Sequence, residues 1–151
     1  MVGNVIYERS EIEKIFMKAK VGRLAMCLNN KPYVVPIAFV YSNGKIYFHS
    51  ANRGEKIRIM KMNPLVCFEV DEYELVLDRD PCKITFRYES AIAFGKVRFL
   101  ETKEDKLKIL KIMTYKYDPG HLSKPLEESM IPNDLIVGEI SIELMTGKRN
   151  I

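Results

Sequence analysis

Apolar residues along this chain mostly alternate with polar ones or run in short β-branched and aromatic blocks, and helical spacing is confined to three stretches. The first, "SEIEKIFMKA" (10–19), puts Ile12, Ile15, Phe16 and Ala19 on one face. Ser10 stands where a cap is needed, and Glu13 takes the reciprocal capping-box position. The second covers 53–62, stopping before Pro64, with Asn52 and Glu55 as a variant capping box. The third follows Thr102, a capping residue, and buries a stripe that includes Leu107, Leu110 and Met113.

The remaining blocks predict strands at 23–28, 33–42, 45–51, 65–72, 83–101 and 135–145. "NNKP" turns the first into the second. Asn43-Gly44 predicts a type I′ hairpin, because both central residues of that turn need positive φ. The 83–101 block reads as one long strand, or two with a bend near Ser90 or Gly95. Pro36 cannot donate to a ladder, so it marks an edge, a bulge or a break. Before the last strand lies a loop holding Pro119, Pro125 and Pro132. Tight turns rather than crossover helices join most of the strands. The expected fold is therefore mainly β: an antiparallel, six-stranded meander closing into a barrel, with peripheral helices.

Composition changes this picture little. A chain of 151 residues with 47% hydrophobic positions fits a single domain, 1–151, able to bury a core without staples. The net charge of +4 is spread along the chain rather than gathered on one segment. Nucleic acid is therefore not an expected partner, whereas a mildly anionic small ligand fits. Cys27, Cys67 and Cys82 show no CxxC pairing and no metal spacing with His49 and His121. No metal site and no disulfide framework is expected, and a cytoplasmic location follows from the odd cysteine count and the absence of a signal-like start. No apolar run approaches the roughly 18 residues of a membrane span.

The chemistry concentrates in "FHSANRGEK" (48–56), where a strand runs into a helix. Unpaired first-turn N–H groups and the positive end of the helix dipole make an anion site. Ser50 adds a hydroxyl, and Arg53 and Lys56 add positive charge, a set suited to a phosphate. A capped helix with a basic solvated face is the plainer alternative. Around Pro36, interrupted ladder groups could face a flat heterocycle; an edge proline guarding against aggregation explains it equally. His49 is either a structural strand residue or a proton donor and ligand contact. Cys27 and Cys67 fall in apolar strand patterns and read as inert core thiols. No nucleophile–base pair and no glycine-rich nucleotide fingerprint is present, so redox chemistry would have to come from a bound cofactor.

In order along the chain, "GRLA", "PYVVPIAFVY", "GKIYFHSA", "GEK", "NPLVCFEVD", "YESAIAFGKV" and "TGK" resemble the FMN-binding split-barrel proteins related to pyridoxamine 5′-phosphate oxidase. Within that family the nitroimidazole-resistance flavoproteins are the most similar branch. The resemblance implies a Greek-key type split barrel that binds FMN, with its phosphate held by Ser50, Arg53 and Lys56. It places the main chain of Val35, Pro36 and Ile37 at the isoalloxazine edge, His49 and Ser50 beside the flavin, and Ser90 toward it. It also implies a homodimer with flavin sites at the interface, Arg87 or Lys148 coming from the second subunit. Glu55 stands where relatives often carry a basic residue or His, and the oxidase's arginine-rich hairpin strand is missing, which argues against pyridoxamine-phosphate oxidation itself.

The leading expectation is an FMN-dependent oxidoreductase. It would reduce a small electrophilic or nitro-aromatic molecule with electrons from NAD(P)H, with His49 at the reactive face. A non-catalytic flavin-binding or redox-sensing protein is the alternative. A further one is a relative that binds haem, through His49 or His121, or a deazaflavin.

Overall fold

The computed structural model describes residues 3–150; the single-domain expectation extends to residues 1, 2 and 151, which lie outside the described residues. Eight strands form one sheet: β1 (Asn4–Ile6), β2 (Gly22–Leu28), β3 (Lys31–Ile37), β4 (Phe39–Ser42), β5 (Lys45–Ala51), β6 (Leu65–Val76), β7 (Thr85–Phe99) and β8 (Leu135–Asn150). Three helices flank it: α1 (Arg9–Lys18), α2 (Glu55–Met62) and α3 (Lys103–Tyr117). The six expected strands are all present, the block 33–42 being divided between β3 and β4 at Ala38, with β1 added as a short strand along β8.

All pairings are antiparallel, and the strand order is β3-β2-β6-β7-β8-β5-β4. The two ends of that path, β3 and β4, are joined in sequence through Ala38 alone. A single residue spans only about 3.5 Å, so the sheet has to curl until its edges nearly meet there. The result is a barrel left split between β3 and β4.

Asn43 (φ 49°) and Gly44 (φ 76°) adopt the positive φ that the hairpin required, and Asn29 and Asn30 (φ 51° and 62°) make a second such turn. β7 is one continuous strand; its irregularity falls at Gly95, where the register with β8 shifts. A Cβ at Gly95 would come within 2.1 Å of the Ser141 carbonyl oxygen, so only glycine permits this approach of the two backbones.

Two helix starts differ from the sequence reading. α1 begins at Arg9 behind Glu8 without a side-chain cap. Glu13 instead accepts from Arg9 Nε at 2.9 Å and from the Tyr41 hydroxyl at 3.0 Å, partners that outcompete the capping box. α2 begins at Glu55 behind Gly54, again uncapped. Asn52 accepts from Lys61 Nζ at 2.9 Å, and Glu55 is held by Arg58 at 3.1 Å, so neither reaches the other's backbone. The cap at Thr102 is as expected, its hydroxyl oxygen accepting from the Asp105 amide at 3.1 Å.

Inward-facing positions of the barrel bury Leu24, Phe39, Ile46, Phe48, Phe68, Val70 and Ile140, closed at one end by Phe16 of α1. Phe39 and Phe68 meet edge-on with centroids 4.9 Å apart. A second core lies on the other side of β4, β5 and β8, where Val40, Tyr47 and Val137 pack against Ile109, Leu110 and Met113 of α3. Cys27 and Cys67 are not core thiols: both are partly exposed. They sit at odd positions of β2 and β6, and strand alternation turns those outward while Leu24, Met26, Val66 and Phe68 turn in.

Candidate functional site

The end of β5 carries the strand-to-helix junction. After Ala51 the chain turns tightly, the Arg53 amide bonding to the Ala51 carbonyl at 2.8 Å and the Asn52 amide to Asp134 at 2.9 Å. Gly54 then takes φ 98°, a value that disfavours a side chain, and nothing lies within 4 Å of where its Cβ would be. The first helical bond reaches back from the Arg58 amide to Gly54 at 3.2 Å. The amides ahead of it are therefore orphaned, uncapped and beside open space, which is the arrangement an anion needs.

Lys56 is half-buried in this first turn, Arg53 is exposed just before it, and among the described residues neither side chain has a hydrogen-bond or ion-pair partner. Glu55 would oppose an anion, but its carboxylate is engaged by Arg58, whose hydrogen bond lowers its pKa. Ser50 is buried and its hydroxyl donates to the Ala51 carbonyl at 3.0 Å, so as folded here it serves the strand end.

β3 flanks the same region. Pro32 and Tyr33 of β3 and Glu55, Arg58 and Ile59 of α2 line one open cleft of about 470 Å³. Among the described residues β3 pairs with β2 alone, Pro36 standing opposite Arg23. Val35 and Ile37 pack their side chains on the core, while Pro36 is exposed on the outer side. An edge strand tolerates Pro36 because its missing N–H belongs to the unpaired side.

His49 leaves the barrel on the opposite side from Phe48 and Ser50. It lines a cavity of about 360 Å³ with Ala38, Met113, Tyr117, Met130, Ile131 and other, mainly apolar residues of α3 and the proline-containing loop. His49 itself is exposed, at the rim of this cavity. Its packed neighbours still desolvate the ring in part, which lowers the imidazole pKa below its ordinary value and favours the neutral form. Two other polar groups of the wall are already committed. Thr114 donates to the Leu110 carbonyl at 2.9 Å, and the Tyr117 hydroxyl is engaged at Phe39 and Lys20. The cavity can thus seat a small, largely apolar molecule that exchanges a hydrogen bond with His49.

Arg87, Ser90 and Lys148 lie elsewhere. Ser90 stands between Asp71 of β6 and Lys148 of β8 on the sheet's outer face, and Arg87 is exposed opposite Glu74. α2 starts after Ala51, whose partner on β8 is Leu135, whereas Lys148 and its partner Ser90 lie thirteen residues further along β8, so one chain does not bring this trio to the start of α2. Sequence reasoning passed over Lys116 and Tyr117. The apolar stripe of α3 forecast its buried face, and nothing in local spacing shows that its last turn reaches β4.

Residues 8–149 match the model of the pyridoxamine 5′-phosphate oxidase family. An uncharacterized protein of Rhizobium meliloti (strain 1021) is 30% identical over 84 residues, 56% of this chain and 55% of its own length, so the match spans about half of that relative. Among solved structures, a candidate 5-nitroimidazole antibiotic resistance protein of Bacteroides thetaiotaomicron VPI-5482 is 31% identical, with a TM-score of 0.83 over 97% of this chain and 87% of that one. An FAD-binding protein of Mesorhizobium loti is 25% identical, with a TM-score of 0.74 over the full length of both chains. The flavocytochrome Anf3 of Azotobacter vinelandii, at 18% identity, shares the fold, with a TM-score of 0.82 over 97% of this chain and 69% of that one. With a family match running from α1 through β8, this chain belongs to the pyridoxamine 5′-phosphate oxidase family.

Proposed function

We propose that the protein is an FMN-dependent oxidoreductase acting on a small, uncharged electrophile such as a nitro-aromatic compound. The observation that carries this reading is the uncapped start of α2 beside the free edge of β3, with Lys56 and Arg53 unpartnered. Orphaned amides and two cations suit the phosphate of a flavin mononucleotide, and the open space over Gly54 admits it. The β3 edge from Val35 to Ile37 would border the ring system. A flavin held there would supply the electron transfer between a reduced nicotinamide and the acceptor.

The chain's own groups do the rest. The mainly apolar cavity would cover part of the reacting molecule, and His49, whose surroundings favour its neutral form, would offer it a hydrogen bond. Among the described residues no lysine or arginine lines this cavity, in keeping with an acceptor other than a phosphorylated vitamer. A second copy of the chain completes the site in this reading. The outer face presents Val34, Leu65, Phe94 and Leu144 as exposed apolar residues, extended by Tyr73, Leu75 and Phe86 on the β6–β7 hairpin. Packing two such faces together would remove that apolar surface from water and carry Ser90 and Lys148 to the neighbouring site, while Arg87, an odd number of residues from Ser90, projects from the other face of β7.

A visible spectrum of freshly purified protein, followed by addition of NADPH or NADH, tests the proposal. Flavin bands that bleach rapidly and recover on adding a nitro-aromatic acceptor are expected. Protein that neither retains nor takes up FMN would end it; flavin reducible only by dithionite would leave a binding protein without the reductase activity.

A further inference from the structure

The split between β3 and β4 is held by two side chains to which the flavin reading gives no chemical role. At Ala38 the chain passes from one edge of the barrel to the other, and Phe39, the next residue, has its main-chain groups met by α3. Its amide donates to the Tyr117 hydroxyl oxygen at 2.9 Å. Its carbonyl accepts from Lys116 Nζ at 3.0 Å, with the Tyr117 hydroxyl also 2.9 Å away. That hydroxyl lies 2.8 Å from the carbonyl of Lys20, just ahead of β2. A hydroxyl has one proton to give. Since Lys116 already satisfies Phe39, the Tyr117 proton is best used on Lys20. Tyr117 therefore ties the start of β2, and through it β3, to the start of β4.

Lys116 closes the other half of the tie. Its ammonium lies 3.8 Å from the centroid of the Phe39 ring and 5.3 Å from that of Tyr117, a cation–π arrangement. The residues so tied are neighbours of the functional ones. Ala38 and Tyr117 line the His49 cavity, and β3 is the edge beside α2.

We propose that Lys116 and Tyr117 are positioning residues that fix the width of the barrel's split, and thereby the cavity wall at His49 and the free edge of β3. Both act through Phe39, Ala38 and Lys20, and Tyr117 is in addition part of the cavity wall. The partial desolvation of His49 by this wall then depends on bonds made at the end of α3. The inference concerns the same site as the flavin reading, but its geometry holds with or without a cofactor.

The test uses the full chain without added flavin. Tyr117→Phe keeps the ring and the net charge while removing the hydroxyl, and His49 is titrated by NMR through its imidazole protons. Loosening of the split moves the cavity wall off His49 and exposes the ring further, so its pKa is expected to rise toward its ordinary value, and amide exchange along β3 to speed up about tenfold. A residue serving only local stability would leave both unchanged at temperatures well below unfolding, and that result overturns the proposal. Lys116→Arg, which retains a cation over Phe39, is expected to behave as the native chain, whereas Lys116→Met should reproduce the faster exchange of β3. Exchange along β3 in Lys116→Met equal to native would likewise refute the role of Lys116. FMN affinity is then measured separately: native protein that fails to bind FMN defeats the flavin reading alone, because the His49 and β3 measurements do not depend on it.

Discussion

Replacing Lys56 by alanine isolates the phosphate assignment. The lysine is half-buried and among the described residues has no hydrogen-bond or ion-pair partner, so its removal breaks no bond within the chain. Folding stability should therefore stay within about 0.5 kcal/mol of native, the range of a surface change. A hydrogen bond to a charged group contributes roughly 1.5–3 kcal/mol. Arg53 and the α2 amides would retain the phosphate in part, and solvent reaches the site. A loss of about 2 kcal/mol, near thirtyfold in Kd, is expected. The comparison that gives this meaning is riboflavin, which has the same ring and no phosphate. Fluorescence titrations of native and Lys56→Ala protein with FMN and with riboflavin should show the loss for FMN only. Equal weakening of both ligands, or unchanged FMN affinity, would refute the placement of a phosphate at α2.

Three other outcomes follow from the geometry. Glu139, buried on β8, accepts from Arg98 Nε at 2.7 Å and Lys45 Nζ at 3.0 Å; burial acts to raise its pKa, but these bonds together hold it below the ordinary value. Its contribution is thus present above the unfolded-state pKa and is lost as pH falls through the lower folded value. Glu139→Gln should cost about 1–3 kcal/mol near neutrality and flatten the acid limb of stability measured by denaturant titration. For His49 burial lowers the pKa, so the native state gains stability as pH rises from the lowered value to the ordinary one; His49→Gln should abolish that slope in thermal melts between pH 5 and 7, where the reference imidazole titrates near 6.5. Phe94→Asp on the outer sheet face should leave the melting temperature little changed while converting a dimer to monomer in analytical ultracentrifugation; a dimer that persists would exclude that face as the interface.

Nearly every strand was legible because its signal is local. Asn43-Gly44 specifies its own turn, Thr102 caps the helix that follows it, and alternation in β2, β6 and β8 is set by neighbours one residue away. The junction from His49 to Lys56 was legible for the same reason, since a strand end, a glycine and a lysine lie close together in sequence. The capping boxes at Ser10 and Asn52 failed where competing partners won. Glu13 is taken by Arg9 and by Tyr41, the latter distant in sequence, and Asn52 is taken by Lys61, a residue at the far end of α2. The two cysteines were misplaced because an apolar strand block does not say which of its faces meets the barrel interior.

Taken alone, the sequence determined the β-rich meander, its hairpins and the cationic junction, all of which depend on backbone preferences acting over a few residues. Only the tertiary structure decided where the barrel splits, what meets the main-chain groups of Phe39, and that His49 faces a cavity built from α3 and the loop after it. Those features join residues as far apart as Lys20 and Tyr117. The energy that places them comes from burying apolar surface and satisfying main-chain polar groups throughout the molecule, and no local pattern records which distant side chain will do so.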